Sequence, residues 1–238
     1  MSQSTGKILR ILAVVLVGAT AIFTLLGGIG TTCIAFNAEQ YGKAFAAFIP
    51  YKPTYQAFVV TSIIAGLIGV AALVAMVRGW GWAYWGAIAA ALTGMATAGV
   101  HMYYSGTIKE ISYFAAAPEN MRFYVSAVTF VFLLVLRLPG VWQAVDFTAP
   151  WRGGGSRKMA GGMAAVAIGL VTLTTPLWAA ANHVVDGYNL VYVLEVPLAI
   201  GGLALTLGGC LLAAMGSRAE SRRAESPVAA QASPAPVR

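Results

Sequence analysis

The chain has 238 residues, of which 59% are hydrophobic and only 10% are charged. Soluble domains carry about 25% charged residues, so this composition excludes a water-soluble globular protein and predicts a single polytopic membrane bundle. The formal net charge of +7 comes mostly from basic residues beside apolar segments, where they set membrane orientation. Because the chain has no nucleic-acid-binding motif, we expect no nucleic-acid partner.

Six apolar segments follow one another along the chain, and each is long enough to cross a bilayer, which takes about 20 residues. They cover residues 8–36, 55–77, 81–104, 121–142, 159–181 and 189–216. The sequence therefore predicts an all-α fold, with a six-helix transmembrane bundle over residues 1–216. Residues 217–238 are rich in Ala, Pro, Ser, Glu and Arg without apolar periodicity, which predicts a disordered cytoplasmic tail.

The basic residues are distributed unevenly between the two sides of the predicted bundle. If the amino terminus is cytoplasmic, eleven of the 15 Lys and Arg residues fall on the inner side and four on the outer side. This bias predicts that both termini are cytoplasmic. We expect a multi-pass protein of a bacterial-type plasma membrane, surrounded by the lipid bilayer.

Two of the three outer loops in this topology carry informative residues. In the first, Tyr41, Phe45 and Phe48 recur at helical spacing before a proline, which predicts a short interfacial helix over about residues 38–49. The alternative is an ordinary loop that carries aromatic residues. The second outer loop, residues 105–120, includes Lys109 and Glu119 and is expected to be solvated.

Small residues recur every fourth position in the third apolar segment, at Gly86, Ala90, Gly94 and Ala98. In lipid, such a flat face lets other helix backbones approach closely. We expect helix packing on this face, and contacts with other membrane subunits through faces of this kind.

Two prolines, Pro176 and Pro197, lie in the last two apolar segments at a similar predicted depth. Each proline removes one backbone donor and frees a carbonyl one turn earlier. The pattern predicts two helices bent near the outer side, although prolines are also common in membrane helices that have no active role.

Glu195 is the clearest polar candidate, because it falls about two turns inside the last apolar segment. Ionisable residues within a membrane are rare and mark functional sites by default. This placement predicts a proton or ion site at Glu195. The alternative is a protonated carboxyl group that bonds to a backbone carbonyl freed by a proline.

His101 and His183 are both predicted near the outer face. Two histidines from different helices at similar depth satisfy the requirement for bis-histidine ligation of haem b, and neutral imidazole also binds transition metals. Cys33, Met102 and Asp186 lie close enough in the predicted topology to contribute. The alternative is a hydrogen-bonded His101 and a solvated His183.

Three functional hypotheses follow. The first is an accessory or anchoring membrane subunit of a larger complex that handles electrons or protons near the outer face. The second is a small proton-coupled transporter or channel that uses Glu195. The third is a metal-dependent membrane enzyme with His101, His183 and Glu195 as ligands.

Overall fold

The structure is a computed structural model that describes residues 3–115, 119–148, 151, 154–179 and 183–225. It contains six long helices and one short helix, α5, over Val141–Val145. The long helices are α1 (Gln3–Asn37), α2 (Lys52–Arg78), α3 (Ala83–Lys109), α4 (Glu119–Leu136), α6 (Gly154–Ala179) and α7 (Glu195–Glu225). All six are long and apolar enough to span a membrane. The predicted all-α class, with six helices long and apolar enough to cross a membrane, is therefore confirmed.

Helix α1 is the central helix of the bundle. It contacts α2, α3, α4, α5 and α6, whereas α7 packs mainly along α6 at the periphery. The core around α1 includes Val14 and Val17, which are almost completely buried and belong to the same cluster as Leu133 on α4 and Ala164 on α6. A central position makes the amino-terminal helix part of nearly every interface in the bundle.

One end of the bundle carries a two-residue β-hairpin, and we call it the hairpin end. Strand β1 (Val184–Val185) pairs antiparallel with β2 (Tyr188–Asn189), in the register Val184 to Asn189. Asp186 and Gly187 form the turn with positive φ angles of 49° and 82°, as a tight hairpin turn requires. Helices α1, α3 and α6 end here, and α2, α4 and α7 begin here.

The connection between α1 and α2 also lies at the hairpin end. It consists of two 3-10 segments, Ala38–Ala44 and Ala46–Tyr51, in place of one regular helix over residues 38–49. Gly42 has a φ of 54°, which interrupts the helical backbone. The aromatic residues Phe45 and Phe48 are buried, and Phe48 packs edge-on against Tyr55 at 5.4 Å. This connection therefore covers the bundle end with aromatic side chains.

Glycines bring α6 and α7 into backbone contact. They recur every seven residues on both helices and pair as Gly155 with Gly216, Gly162 with Gly209, and Gly169 with Gly202. A Cβ atom added at Gly162 would lie 2.6 Å from the carbonyl oxygen of Gly209, closer than any side chain tolerates. Helix association in lipid depends on such close packing. This packing explains how α7 is attached to the bundle mainly through α6.

The small-residue face of α3 is used within the chain. Ala90 and Ala98 are buried, and a Cβ atom added at Gly94 would lie 3.1 Å from the hydroxyl oxygens of Thr24 and Ser126. This face therefore packs against α1 and α4 of the same chain.

The two prolines have different positions. Pro176 lies inside α6, and the Thr172 and Thr175 hydroxyls donate to carbonyl oxygens one turn earlier, at 2.8 and 3.0 Å. Pro197 is the third residue of α7, where a backbone N–H has no partner within the helix, so proline fits without interrupting it. The expected matched pair of bends is therefore not found.

The carboxyl-terminal segment also differs from the expectation. Helix α7 continues through residues 217–225, which had been assigned to the disordered tail; residues 226–238 lie outside the described part of the chain. Glu220 on this extension accepts bonds from Lys7 and Ser156. These polar contacts attach the extension to α1 and α6.

Candidate functional site

A cavity of about 300 Å³ lies at the hairpin end between α1, α3, α4, α6 and the segment that leads into α7. Most of its wall is apolar, with Phe23, Leu26, Trp178 and Leu198 as examples. Ile29 and Leu194 line it and stay 45% and 44% exposed, so it is not sealed. Its polar lining groups include His101, Ser105, Lys109, Glu119, Arg122 and His183. An apolar pocket with a few convergent polar groups is the usual form of a small-molecule site.

Arg122 organises the polar side of the cavity. It lies in the first turn of α4 and is only 2% exposed. Its Nη1 donates to the Ser62 hydroxyl on α2 at 2.8 Å, and its Nη2 lies 3.1 Å from Nδ1 of His101 on α3. Guanidinium has no acceptor atom, so Arg122 donates and His101 Nδ1 accepts. The contact therefore holds His101 as the neutral tautomer with its proton on Nε2.

Glu119 faces the opposite nitrogen of the same imidazole. Its Oε1 lies 3.3 Å from His101 Nε2, too far out of line for a well-formed hydrogen bond. The Glu119 side chain is 12% exposed, and its Oε2 has no hydrogen-bond partner among the described residues. Arg122, Lys109 and His183 are its electrostatic neighbours. A buried carboxylate oxygen without a donor is costly, so this atom is available to a proton or a ligand.

Aromatic rings fix the position of His101. Phe58 stacks on the imidazole at 4.8 Å, and Tyr55 meets it edge-on at 5.0 Å. Tyr55 is held in turn by its hydroxyl, 3.1 Å from the Ser105 hydroxyl. The cluster is therefore enclosed on the α2 side and accessible from the cavity.

A glycine on α1 makes room for the buried guanidinium. A Cβ atom added at Gly27 would lie 3.0 Å from Nη1 of Arg122 and 3.1 Å from its Cδ. The central helix thus supplies the space in which Arg122 reaches His101.

His183 is fixed by backbone carbonyls. Its Nδ1 lies 2.7 Å from the oxygen of Ala179, and its Nε2 lies 3.1 Å from the oxygen of Gly30 on α1. Neutral imidazole donates from one nitrogen only, so both contacts are hydrogen bonds only in the protonated form. His183 thus joins the end of α6 to α1 and borders the cavity.

The structure brings together some of the predicted residues and separates others. His101, His183 and Cys33 line the cavity. Met102 is buried outside the cavity lining, and Asp186 occupies the exposed hairpin turn. Glu195 is exposed at the first residue of α7 and does not line the cavity. Glu195 therefore does not join the two histidines at the cavity, and Glu119 is the carboxylate beside them.

As they are placed, both ring nitrogens of each histidine face a polar partner. A ligating imidazole needs one nitrogen lone pair directed at the metal. His101 Nδ1 already accepts from Arg122 and its Nε2 faces Glu119, while both nitrogens of His183 face carbonyl oxygens. Within the described ranges, no three His, Cys, Asp or Glu side chains are grouped to hold a metal.

Lys109, Glu119 and Arg122 are the site residues that sequence reasoning missed. Lys109 and Glu119 were assigned to a solvated loop, but Lys109 ends α3 and Glu119 begins α4, and both line the cavity. Glu119 and Arg122 stand three residues apart, which puts them on one helix face. That opposite-charge pair at the start of an apolar segment was the available signal.

Comparison with known proteins adds no assignment: neither the protein-family models, nor the curated proteins, nor the solved structures include a match to this chain.

Proposed function

We propose that this protein handles protons within the membrane, as an accessory or anchoring subunit of a larger complex, and that Glu119 is the group that exchanges the proton. The observation that carries the proposal is the Glu119 Oε2 atom, which has no hydrogen-bond partner in the described part of the chain and lies at a cavity beside the His101–Arg122 pair. Intramembrane carboxyl groups with a nearby base are the usual elements of proton relays. The Lys and Arg bias assigns the hairpin end to the outer face of the plasma membrane.

The arrangement supplies each requirement of a proton-exchanging site. The carboxylate is mostly withdrawn from water, which favours its protonated form, while Arg122 and Lys109 favour its charged form. These opposing effects allow both forms to be populated. The imidazole of His101, held with its proton on Nε2, faces the same carboxylate and stabilises it.

The same geometry supports a proton-coupled transporter as a second candidate function. The observation that favours it is the partly open, largely apolar cavity around Glu119, which provides space for a transported molecule. In that case the coupling carboxylate is Glu119 and not Glu195, because Glu195 is exposed outside the cavity.

Infrared difference spectroscopy of the protein in lipid nanodiscs tests which carboxyl group titrates. We expect the carbonyl band of a protonated carboxyl group to change with pH in the wild type and in Glu195→Gln. The band should disappear in Glu119→Gln. If Glu119→Gln keeps the band and Glu195→Gln loses it, the proton belongs to Glu195 and the proposal fails.

Cysteine labelling tests whether the hairpin end faces the outside of the membrane. A cysteine introduced at Ser112, in a variant without the two native cysteines, should react with a membrane-impermeant maleimide on intact cells. Protection of Ser112→Cys, with labelling of Gln143→Cys at the opposite end, would reverse the assignment.

A further inference from the structure

We propose that the cavity binds an amphipathic monocarboxylate, whose anionic head lies among Arg122, Lys109 and Glu119, and that one proton is taken up with each anion. This inference rests on the proposed function, because it names the molecule with which Glu119 exchanges its proton.

The walls of the cavity fit a short apolar body. Phe23 and Trp178 pack together at 5.1 Å between ring centroids, and Leu26 and Leu198 also line the cavity. A volume of about 300 Å³ corresponds to about ten water volumes. A saturated chain of about eight carbons therefore fits within the cavity.

The charges at the polar side favour an anion. Arg122 and Lys109 are cationic and Glu119 is the one carboxylate that lines the cavity among the described residues, so the lining carries an excess of positive charge. Buried excess charge is costly, and a ligand of opposite sign removes that cost. A carboxylate also accepts charge-assisted hydrogen bonds from guanidinium and ammonium groups.

Glu119 determines that the anion binds together with a proton. Two carboxylates at one site repel each other, and the repulsion is relieved when they share one proton. Glu119 Oε2 has no partner among the described residues, so it can take this proton from solvent and donate it to the ligand carboxylate. When the anion leaves, the proton returns to solvent. No bond other than the O–H bond forms or breaks.

The other groups around Glu119 agree with this assignment. The charged and titratable side chains around it, among the described residues, come from four elements. They are Tyr55 from α2, His101 and Lys109 from α3, Arg122 from α4 and His183 after α6. Helix α1 and the segment into α7 contribute only apolar, hydroxyl and thiol groups to the cavity. No second carboxylate in the described lining competes for the proton.

Isothermal titration calorimetry with octanoate tests the proposal on the full chain in lipid nanodiscs. Titration of empty nanodiscs measures the partition of octanoate into lipid, which is subtracted. Titrations at about pH 6 to 9 keep octanoate ionised, and buffers of different ionisation enthalpy count the protons. We expect uptake approaching one proton per octanoate, and affinity that falls by up to tenfold per pH unit where Glu119 is ionised. Octanol, which has the same body and a neutral head, should bind at least tenfold more weakly.

Two variants separate the roles of the polar groups. Glu119→Gln resembles the protonated carboxyl group, so octanoate should bind without proton uptake and with affinity independent of pH. Lys109→Gln should weaken octanoate binding about tenfold through loss of a charge-assisted contact. Lys109 lies at the end of α3, so this variant keeps the buried Arg122 cluster intact.

Several results would overturn the inference. These are equal binding of octanol and octanoate, no octanoate binding by the wild type, no proton uptake, or unchanged affinity in Lys109→Gln. Loss of binding in Glu119→Gln would instead indicate a neutral ligand whose hydroxyl donates to the carboxylate. In each case, an infrared band that still depends on Glu119 would leave the proposed proton exchange standing.

Discussion

Two buried arginines lie at opposite ends of the bundle, and their surroundings differ. Arg10 on α1 is 6% exposed, and Arg122 on α4 is 2% exposed. The Arg10 guanidinium lies 4.2 Å from the ring centroid of Trp151 and 6.0 Å from that of Phe147, and Asp146 is its charged neighbour. Arg122 instead contacts a hydroxyl and an imidazole group, has Glu119 as its charged neighbour, and borders the cavity.

The difference separates an anchoring role from a functional one. The aromatic faces and Asp146 around Arg10 attract its charge, and none of them lines the cavity, so they attach α1 to the segment after α5. Around Arg122, the neighbours are themselves titratable and reachable from a cavity. Burial of an arginine alone therefore does not identify a site; the chemistry of its neighbours does.

The largest effect is expected from Arg122→Met. The substitution leaves Glu119 buried without one of its two cationic neighbours and removes the donors to Ser62 and His101. This should lower the free energy of unfolding by about 3 to 5 kcal/mol. Unfolding by SDS in mixed micelles measures the loss. The double variant Arg122→Met with Glu119→Leu should recover most of it, because both charges are then absent. A double variant as unstable as Arg122→Met would show that Glu119 is not the partner.

A smaller effect is expected from Arg10→Met. The methionine keeps much of the apolar contact with Trp151 and loses the cation–π attraction, which is worth about 2 kcal/mol for a buried cation. The same unfolding measurement checks this, and octanoate affinity should stay unchanged. A change in octanoate affinity would contradict the separation of an anchoring arginine from a functional one.

The smallest effect on stability is expected from Gly27→Ala. The added methyl group displaces the Arg122 side chain by a few tenths of an ångström, at a cost of about 1 kcal/mol, and should weaken octanoate binding several-fold. Gly18→Ala on the same helix is the matched control, since its Cβ would lie 3.3 Å from the movable end of Ile168. Equal effects of the two variants on octanoate binding would show that Gly27 does not position Arg122.

Part of the site was within reach of sequence reasoning. His101 is predicted because it is the one histidine inside an apolar segment, and His183 because it follows the fifth apolar segment at a similar depth. Both line the cavity. Glu195 was chosen on depth alone, and depth does not say on which side of a helix a residue lies. In the structure it is exposed at the start of α7.

The acid and the cations were missed for a related physical reason. Lys109, Glu119 and Arg122 lie at helix ends, where the composition of a buried polar cluster resembles that of a solvated loop. Only the packing of α3 and α4 against α1 and α2 shows that these groups are enclosed. The paired glycines of α6 and α7 have a seven-residue period in the sequence, but only their contacts show that the two rows meet.

The amino-acid sequence by itself determined the solvent and the class of this protein, because so few charges leave lipid as the only medium for six long apolar runs, and a backbone in lipid must form helices. Which helix became central, and which polar groups share one cavity, were decided by tertiary packing. Both depend on the rotation of each helix about its own axis. The shapes of the packed side chains determine that rotation, and the hydropathy of the sequence does not predict it.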